Sequence, residues 1–301
     1  MSITEDIEKF KKEKNAVILA HYYVDEEVQN IADYVGDSFY LSKIATKTDA
    51  DIIVFCGVAF MGESAKILNP SKRVFMPDAL ADCPMAHMAS KEEITKIRQQ
   101  YDGVAVVCYI NSTAELKTFS DVCVTSANAV KIVKKLPNKN IYFIPDRHLG
   151  SYVAKQVPEK NIILNDGCCP RHVEITADMV KKAKEKHPDA KFAAHPECSE
   201  DVLCYADYIG STSGIIEYVK KSPSKEFIIG TVDGVFAEIK KVASDKKLYT
   251  VKENQICEDM KRVTLEKVLK VLRDETNEVL IDEELARKSM VPLTRMLELA
   301  K

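Results

Sequence analysis

The chain has 301 residues, of which 46% are hydrophobic and 30% charged, enough to bury a sizeable core and to form two or three domains of ~100–200 residues each. A net charge of −3 does not suit a nucleic-acid binder, and no apolar run approaches the ~18 residues of a membrane span. The acidic start Met1-Ser2-Ile3-Thr4-Glu5-Asp6 lacks the apolar stretch of a signal peptide, so a cytoplasmic protein with no membrane or nucleic-acid partner is expected. In a reducing compartment nine cysteines without a Cys-x-x-Cys pair point to metal chemistry, redox chemistry or core packing rather than disulfides.

Along the chain, a strand at Val17-Ile-Leu-Ala-His21 leads through a helical stretch to Ala32-Asp33-Tyr34-Val35-Gly36-Asp37-Ser38. A second strand, Ala105-Val-Val-Cys-Tyr109, leads to Ser120-Asp121-Val122-Cys123-Val124-Thr125-Ser126, and a third, Lys191-Phe-Ala-Ala-His195, to Ala206-Asp207-Tyr208-Ile209-Gly210-Ser211-Thr212. The spacing from Asp33 to Asp121 is 88 residues and from Asp121 to Asp207 86, and each lead residue stands 12 positions before its Asp. Apolar runs around Phe55, Phe143 and Ile229 follow, then short strands at Arg73–Met76, Asn161–Leu164 and Lys247–Thr250. A cysteine comes next each time (Cys83, Cys169, Cys257), with Ser90, Thr176 and Thr264 seven residues beyond as helix N-caps.

Each repeat thus reads strand-helix-strand-helix-strand-helix-strand, an α/β unit with a small parallel sheet covered by helices. The expected architecture is three homologous α/β/α units, 1–83, 84–169 and 170–257, in a pseudo-threefold arrangement around a central site. Residues 258–301 are expected to form a closing helical segment.

Ligands of open parallel sheets bind outside the carboxyl ends of the strands. Three strand-end pairs therefore become candidates: His21/Tyr23, Tyr109/Asn111 and His195/Glu197. Ser38, Ser126 and Thr212 each stand where a strand gives way to a helix, and helix N-termini bind anions without basic side chains. Three such termini would suit a substrate carrying several carboxylate or phosphate groups. Cys83, Cys169 and Cys257 recur with the repeat and are soft donors for an iron–sulfur cluster. Structural zinc wants four ligands, whereas a [4Fe–4S] cluster on three cysteines leaves one iron open as a Lewis acid. Cys168 adjoins Cys169, and the 86- and 88-residue spacings favour Cys169 as the ligand. Cys56, Cys108, Cys123, Cys198 and Cys204 lack counterparts in the other repeats and are assigned to packing.

Taken with these positions, the stretches His21-Tyr22-Tyr23, Gly36-Asp37-Ser38, Cys83-Pro84-Met85, Tyr109-Ile110-Asn111 and Thr125-Ser126 closely resemble the quinolinate synthase (NadA) family. So do Cys169-Pro170-Arg171-His172, His195-Pro196-Glu197-Cys198, Gly210-Ser211-Thr212-Ser213-Gly214 and Cys257-x-x-Met260, and the likeness spans essentially the whole chain. The resemblance implies three α/β/α domains around a [4Fe–4S] cluster held by three cysteines. It also implies condensation of iminoaspartate with dihydroxyacetone phosphate to quinolinate, phosphate and water in NAD biosynthesis, with functional coupling to an L-aspartate-oxidising enzyme. His21, Tyr23, Tyr109, His195 and Glu197 are the expected catalytic set. Substrate binding is expected from His21, Ser38, Tyr109, Asn111, Ser126, His195, Glu197 and Thr212. One departure stands out: relatives commonly carry Thr-Glu near residue 231, whereas this chain reads Thr231-Val232-Asp233. Either Asp233 takes the place of that Glu or the position serves packing. The competing readings are an aconitase-like hydro-lyase and a cluster-based redox sensor.

Overall fold

The computed structural model describes residues 2–301. The first sheet comprises β1 (Ala16–His21), β2 (Tyr34–Gly36), β3 (Ile52–Cys56) and β4 (Arg73–Phe75). The second comprises β5 (Ala105–Tyr109), β6 (Val122–Val124), β7 (Asn140–Ile144) and β8 (Asn161–Leu164). The third comprises β9 (Lys191–Ala194), β10 (Tyr208–Ile209), β11 (Glu226–Gly230) and β12 (Lys247–Thr250). All strand pairs are parallel, and the spatial orders β2-β1-β3-β4, β6-β5-β7-β8 and β10-β9-β11-β12 are the same order repeated. Even the register repeats: Leu19 faces Phe55, Val107 faces Phe143 and Ala193 faces Ile229. The repeated α/β unit read from the sequence is therefore present three times.

Central strands such as Ile52–Cys56 and Ala105–Tyr109 are buried throughout, because helices cover both faces of a parallel sheet and no polar alternation is tolerated. The aspartate of each repeat closes the inner edge-strand pair. Asp33 accepts the N–H of Ile18 at 2.8 Å, Asp121 that of Val106 at 2.6 Å and Asp207 that of Phe192 at 2.8 Å. Ser90, Thr176 and Thr264 are N-caps, each accepting the N–H three residues on, from Glu93, Met179 and Lys267.

The closing segment is helical, with Leu265–Asp274 packed on the N-terminal helix Ile3–Glu13 and Glu283–Leu299 packed on helices Ala59–Leu68 and Ala114–Thr118. Between those two helices, Met76 N–H bonds to Asn277 O and Val279 N–H to Val74 O, so the chain covers the open edge of the first sheet. No helix among the described residues is long and apolar enough to cross a membrane.

In each sheet the strand order reverses beside the first strand, so the loops leaving β1 and β3 diverge and open a crevice at their carboxyl ends. The same holds for β5 with β7 and for β9 with β11. What lies at those ends decides the site.

Candidate active site

One cavity of roughly 740 Å³, including its mouth, is lined by residues from all three repeat units. His21, Tyr23, Ser38 and Cys83 reach it from the first unit, and Tyr109, Asn111, Ser126 and Cys169 from the second. His195, Glu197, Thr212 and Cys257 complete the set from the third. All twelve residues singled out in the sequence thus come together.

Of the three residues expected where a strand gives way to a helix, Ser38 and Thr212 stand at a helix start and Ser126 does not. Ser38 and Thr212 are not N-caps: Asp37 and Ser211 cap those helices, accepting from Tyr40 N–H at 2.9 Å and Gly214 N–H at 3.2 Å. Ser38 and Thr212 are the first residues of helices Ser38–Ala45 and Thr212–Lys221, where backbone N–H groups are still free. Ser126 lies in a turn closed by Asn128, whose Oδ1 takes the Thr125 N–H at 2.7 Å, and the helix begins only at Ala129. Adjacent Asp-Ser and Ser-Thr pairs both offer capping side chains, so the sequence alone does not choose between them.

The interior is organised around Glu197, which is 4% exposed. Its Oε1 accepts the Tyr109 hydroxyl at 2.6 Å, and its Oε2 lies 2.7 Å from His172 Nδ1. His172 Nε2 is 2.8 Å from Thr231 Oγ1, which in turn is 2.5 Å from the Tyr23 hydroxyl. That hydroxyl also lies 3.0 Å from Thr212 Oγ1. An unbroken hydrogen-bonded chain therefore runs Tyr109–Glu197–His172–Thr231–Tyr23. Burial alone would push the Glu197 carboxyl upward, but His172, His195 and the bonds from His172 and Tyr109 outweigh it and hold the group well below the usual carboxylate range. Burial, reinforced by the Glu197 charge, pushes the phenols of Tyr23 and Tyr109 well above their ordinary value. At neutral pH the chain thus holds one carboxylate between two neutral phenols.

The two strand-end histidines are built alike. The Nδ1 atom of His21 accepts the Tyr23 N–H at 3.2 Å, and that of His195 accepts the Glu197 N–H at 3.3 Å. Burial lowers His21 to about 3 and His195 to about 4, so both are neutral rings with the proton on Nε2. His195 Nε2–H accordingly donates to Ser126 Oγ at 3.1 Å.

The donor set of the cavity suits a soft metal centre. Burial pushes the thiols of Cys83, Cys169 and Cys257 up, with smaller upward pushes from Cys257 on Cys83 and from Cys83 on Cys169, and all three line the one cavity. Three half-buried cysteines lining one cavity are costly to ionise unless a metal neutralises them, which is the chemistry of thiolate ligation. Cys168 does not line the cavity. Cys169, His172 and Glu197 also bring ligand atoms within 4.8 Å of one another, a mixed set that could take a single ion. His172 Nδ1 is shared within that set, lying 2.7 Å from Glu197 Oε2 and 3.2 Å from Cys169 Sγ, so Cys169 is the one residue common to it and to the three sulfurs.

Two members of the hydrogen-bonded chain escape sequence reasoning. His172 lies in a quoted stretch, yet its repeat counterparts are Ala86 and Met260. Thr231 has Gly57 and Pro145 as counterparts and sits in the segment read as a departure. There Val232, not Asp233, lines the cavity. Arg171 and Asp37 also line it; Arg171 bonds Glu258 at 2.8 Å and so ties the Cys169 loop to the helix after Cys257. Of the cysteines assigned to packing, Cys56, Cys108, Cys123 and Cys198 are buried, but Cys204 is exposed and donates to Asp201 O at 3.1 Å.

Comparison with known proteins places the whole chain in one family. The family model described as "Quinolinate synthetase A protein" (NadA) matches residues 5–298. The quinolinate synthase of Fusobacterium nucleatum is 56% identical over 294 residues, covering 98% of this chain and 98% of its own length. Those of a Sulfurihydrogenibium species and of Caldicellulosiruptor saccharolyticus are 50% and 49% identical, each covering 99% of this chain and 98% of their own length. With the family model matching residues 5–298 and all twelve candidate residues lining one cavity, the chain belongs to the quinolinate synthetase A family.

Proposed function

We propose that the cavity condenses iminoaspartate with dihydroxyacetone phosphate, releasing quinolinate, phosphate and water. The observation that carries this reading is a buried glutamate bonded to the Tyr109 phenol and linked through His172 and Thr231 to the Tyr23 phenol, in the same cavity as three half-buried cysteines. Building a pyridine ring from an imine and a triose phosphate needs carbon-bound protons removed and departing oxygens protonated. Glu197 is the base within this arrangement, and Tyr109 is a proton donor already aimed at it.

Tyr23 serves as the second acid–base group. As the Tyr23 oxygen takes a proton from the substrate, its own proton passes to Thr231 Oγ1 and the Thr231 proton to His172 Nε2, so that no free phenolate forms and Glu197 steadies the resulting imidazolium through Nδ1. The reverse order returns the proton to Tyr23. His195 offers its Nε2–H to a substrate oxygen. Asn111 Oδ1, buried and without a protein partner, accepts a substrate O–H or N–H. His21 orients the substrate. Free N–H groups at the starts of helices Ser38–Ala45 and Thr212–Lys221, together with Ser126, hold its carboxylates and phosphate. When bound to Cys83, Cys169 and Cys257, a [4Fe–4S] cluster supplies a Lewis-acidic iron with no protein ligand, suited to loosening a substrate hydroxyl.

Anaerobically reconstituted protein given both substrates should form quinolinate and release phosphate in equal amounts. Dehydration of a small hydroxy acid with no requirement for the triose phosphate would instead identify a hydro-lyase, and unchanged substrates would identify a binding protein.

A further inference from the structure

Tyr23 stands in a short loop after β1, and its hydroxyl takes part in two contacts that depend on where that loop sits. The loop is held by Gln29 from helix Glu26–Ile31, a side chain only 1% exposed. Its amide nitrogen donates to Tyr22 O at 2.9 Å, Val24 O at 3.0 Å and Gly234 O at 2.9 Å. Three carbonyls around one nitrogen fix the amide orientation, since the reverse would set Oε1 against all of them. Oε1 is consequently buried without a partner, a cost that packing alone gives no reason to keep.

Gly234 belongs to the loop after β11 that carries Thr231. Its backbone presses directly on the tyrosine loop: an added Cβ would lie 2.5 Å from Tyr22 O and 2.8 Å from Tyr23 Cα. Both of these are main-chain atoms, which cannot swing aside as a flexible side chain could. Gln29 thus spans the same junction that Gly234 permits, and the Tyr23–Thr231 bond crosses that junction at 2.5 Å.

The repeat supplies an independent parallel. Gln29 corresponds to Lys117, and Val24 to Ser112, each 88 residues on. Lys117 is fully buried and donates to the Ser112 carbonyl, as Gln29 donates to that of Val24. In the third unit the position is Leu203, which has no such donor. A buried donor at this position therefore holds the strand-end loop in the two units whose strand ends carry Tyr23 and Tyr109.

We infer that Gln29, through its bond to Gly234 O, is a positioning residue that sets the Tyr23 hydroxyl against Thr231. The inference rests on the reading of Tyr23 as an acid–base group for its effect on turnover, but not for its effect on geometry. Gln29→Met keeps the volume and removes the donors. A displacement on the scale of an ångström should lower kcat about 10–100-fold with little change in KM. In a Tyr23→Phe background the same substitution should change kcat by less than about twofold, because the group it positions is gone. Protein labelled with carbon-13 tyrosine gives a readout apart from activity: the Tyr23 resonance, identified by its loss in Tyr23→Phe, should shift in Gln29→Met. If Gln29→Met does not fold, Gly234→Ala displaces the loop from the other side and is read in the same way. A Tyr23 resonance unmoved by the substitution overturns the inference, as does an equal loss of kcat in both backgrounds. A shifted resonance in a protein whose Tyr23→Phe variant is fully active would uphold the positioning and remove Tyr23 from the chemistry.

Discussion

The hydroxyl of Tyr109 donates to Oε1 of Glu197 across 2.6 Å, joining the strand end of the second unit to that of the third. The other carboxylate oxygen is taken by His172 Nδ1 at 2.7 Å, so Glu197 serves both ends of the hydrogen-bonded chain at once.

Glu197→Gln should lower turnover by about 10²–10⁴-fold, the usual contribution of a general acid–base group. An amide cannot accept on both sides or take up a proton, yet it occupies the same volume, so cluster absorption should be retained. Steady-state kinetics beside the visible spectrum checks this. Near-normal turnover with a full cluster would remove Glu197 from the mechanism.

Ser126→Ala should act mainly on binding. Its Oγ accepts from His195 in the free protein and is free to turn to a substrate anion. Losing one hydrogen bond to a charged group corresponds to about a tenfold or greater rise in KM, with kcat changed less. A fall in kcat at constant KM would instead couple Ser126 to the chemical work of His195.

Stability should fall as the solution is acidified, by a calculable sign. Burial holds His21 at about 3 and His195 at about 4, against an ordinary 6.5. Below 6.5 the unfolded chain takes up these protons while the folded chain does not, so unfolding gains from each fall in pH. The contribution is complete above about 6.5 and is lost on the way down to 4 and 3, at about 1.4 kcal/mol per pH unit for each ring. Denaturant unfolding of cluster-free protein between about pH 7 and pH 5 measures the slope, and His195→Asn should make it shallower. A slope indifferent to that substitution would contradict the burial of a neutral His195.

Much of the architecture was legible because it repeats. Asp33, Asp121 and Asp207 recur at a fixed spacing because each closes the same strand pair, and Ser90, Thr176 and Thr264 recur because each caps the same helix. The same logic points to the three cysteines. It fails where the site breaks its own symmetry. His172 and Thr231 stand opposite Ala86 and Gly57 in the first unit, so no comparison of repeats could single them out. Their role arises only when the short helix Pro170–Val173 meets the loop after β11, a contact between residues 59 positions apart that no local pattern encodes. The packing of Glu283–Leu299 on the first two units was likewise invisible, since an amphipathic helix shows that it has a partner but not which one.

The central claim is that three units give one sulfur each to a single centre, and it is tested most directly by iron and sulfide content after anaerobic reconstitution of single-cysteine variants. Wild type and Cys168→Ala should each carry one [4Fe–4S] cluster per chain with the same charge-transfer absorption. Cys83→Ala, Cys169→Ala and Cys257→Ala should each lose the cluster and the activity together. A full cluster in any of those three, or its loss in Cys168→Ala alone, would contradict the account.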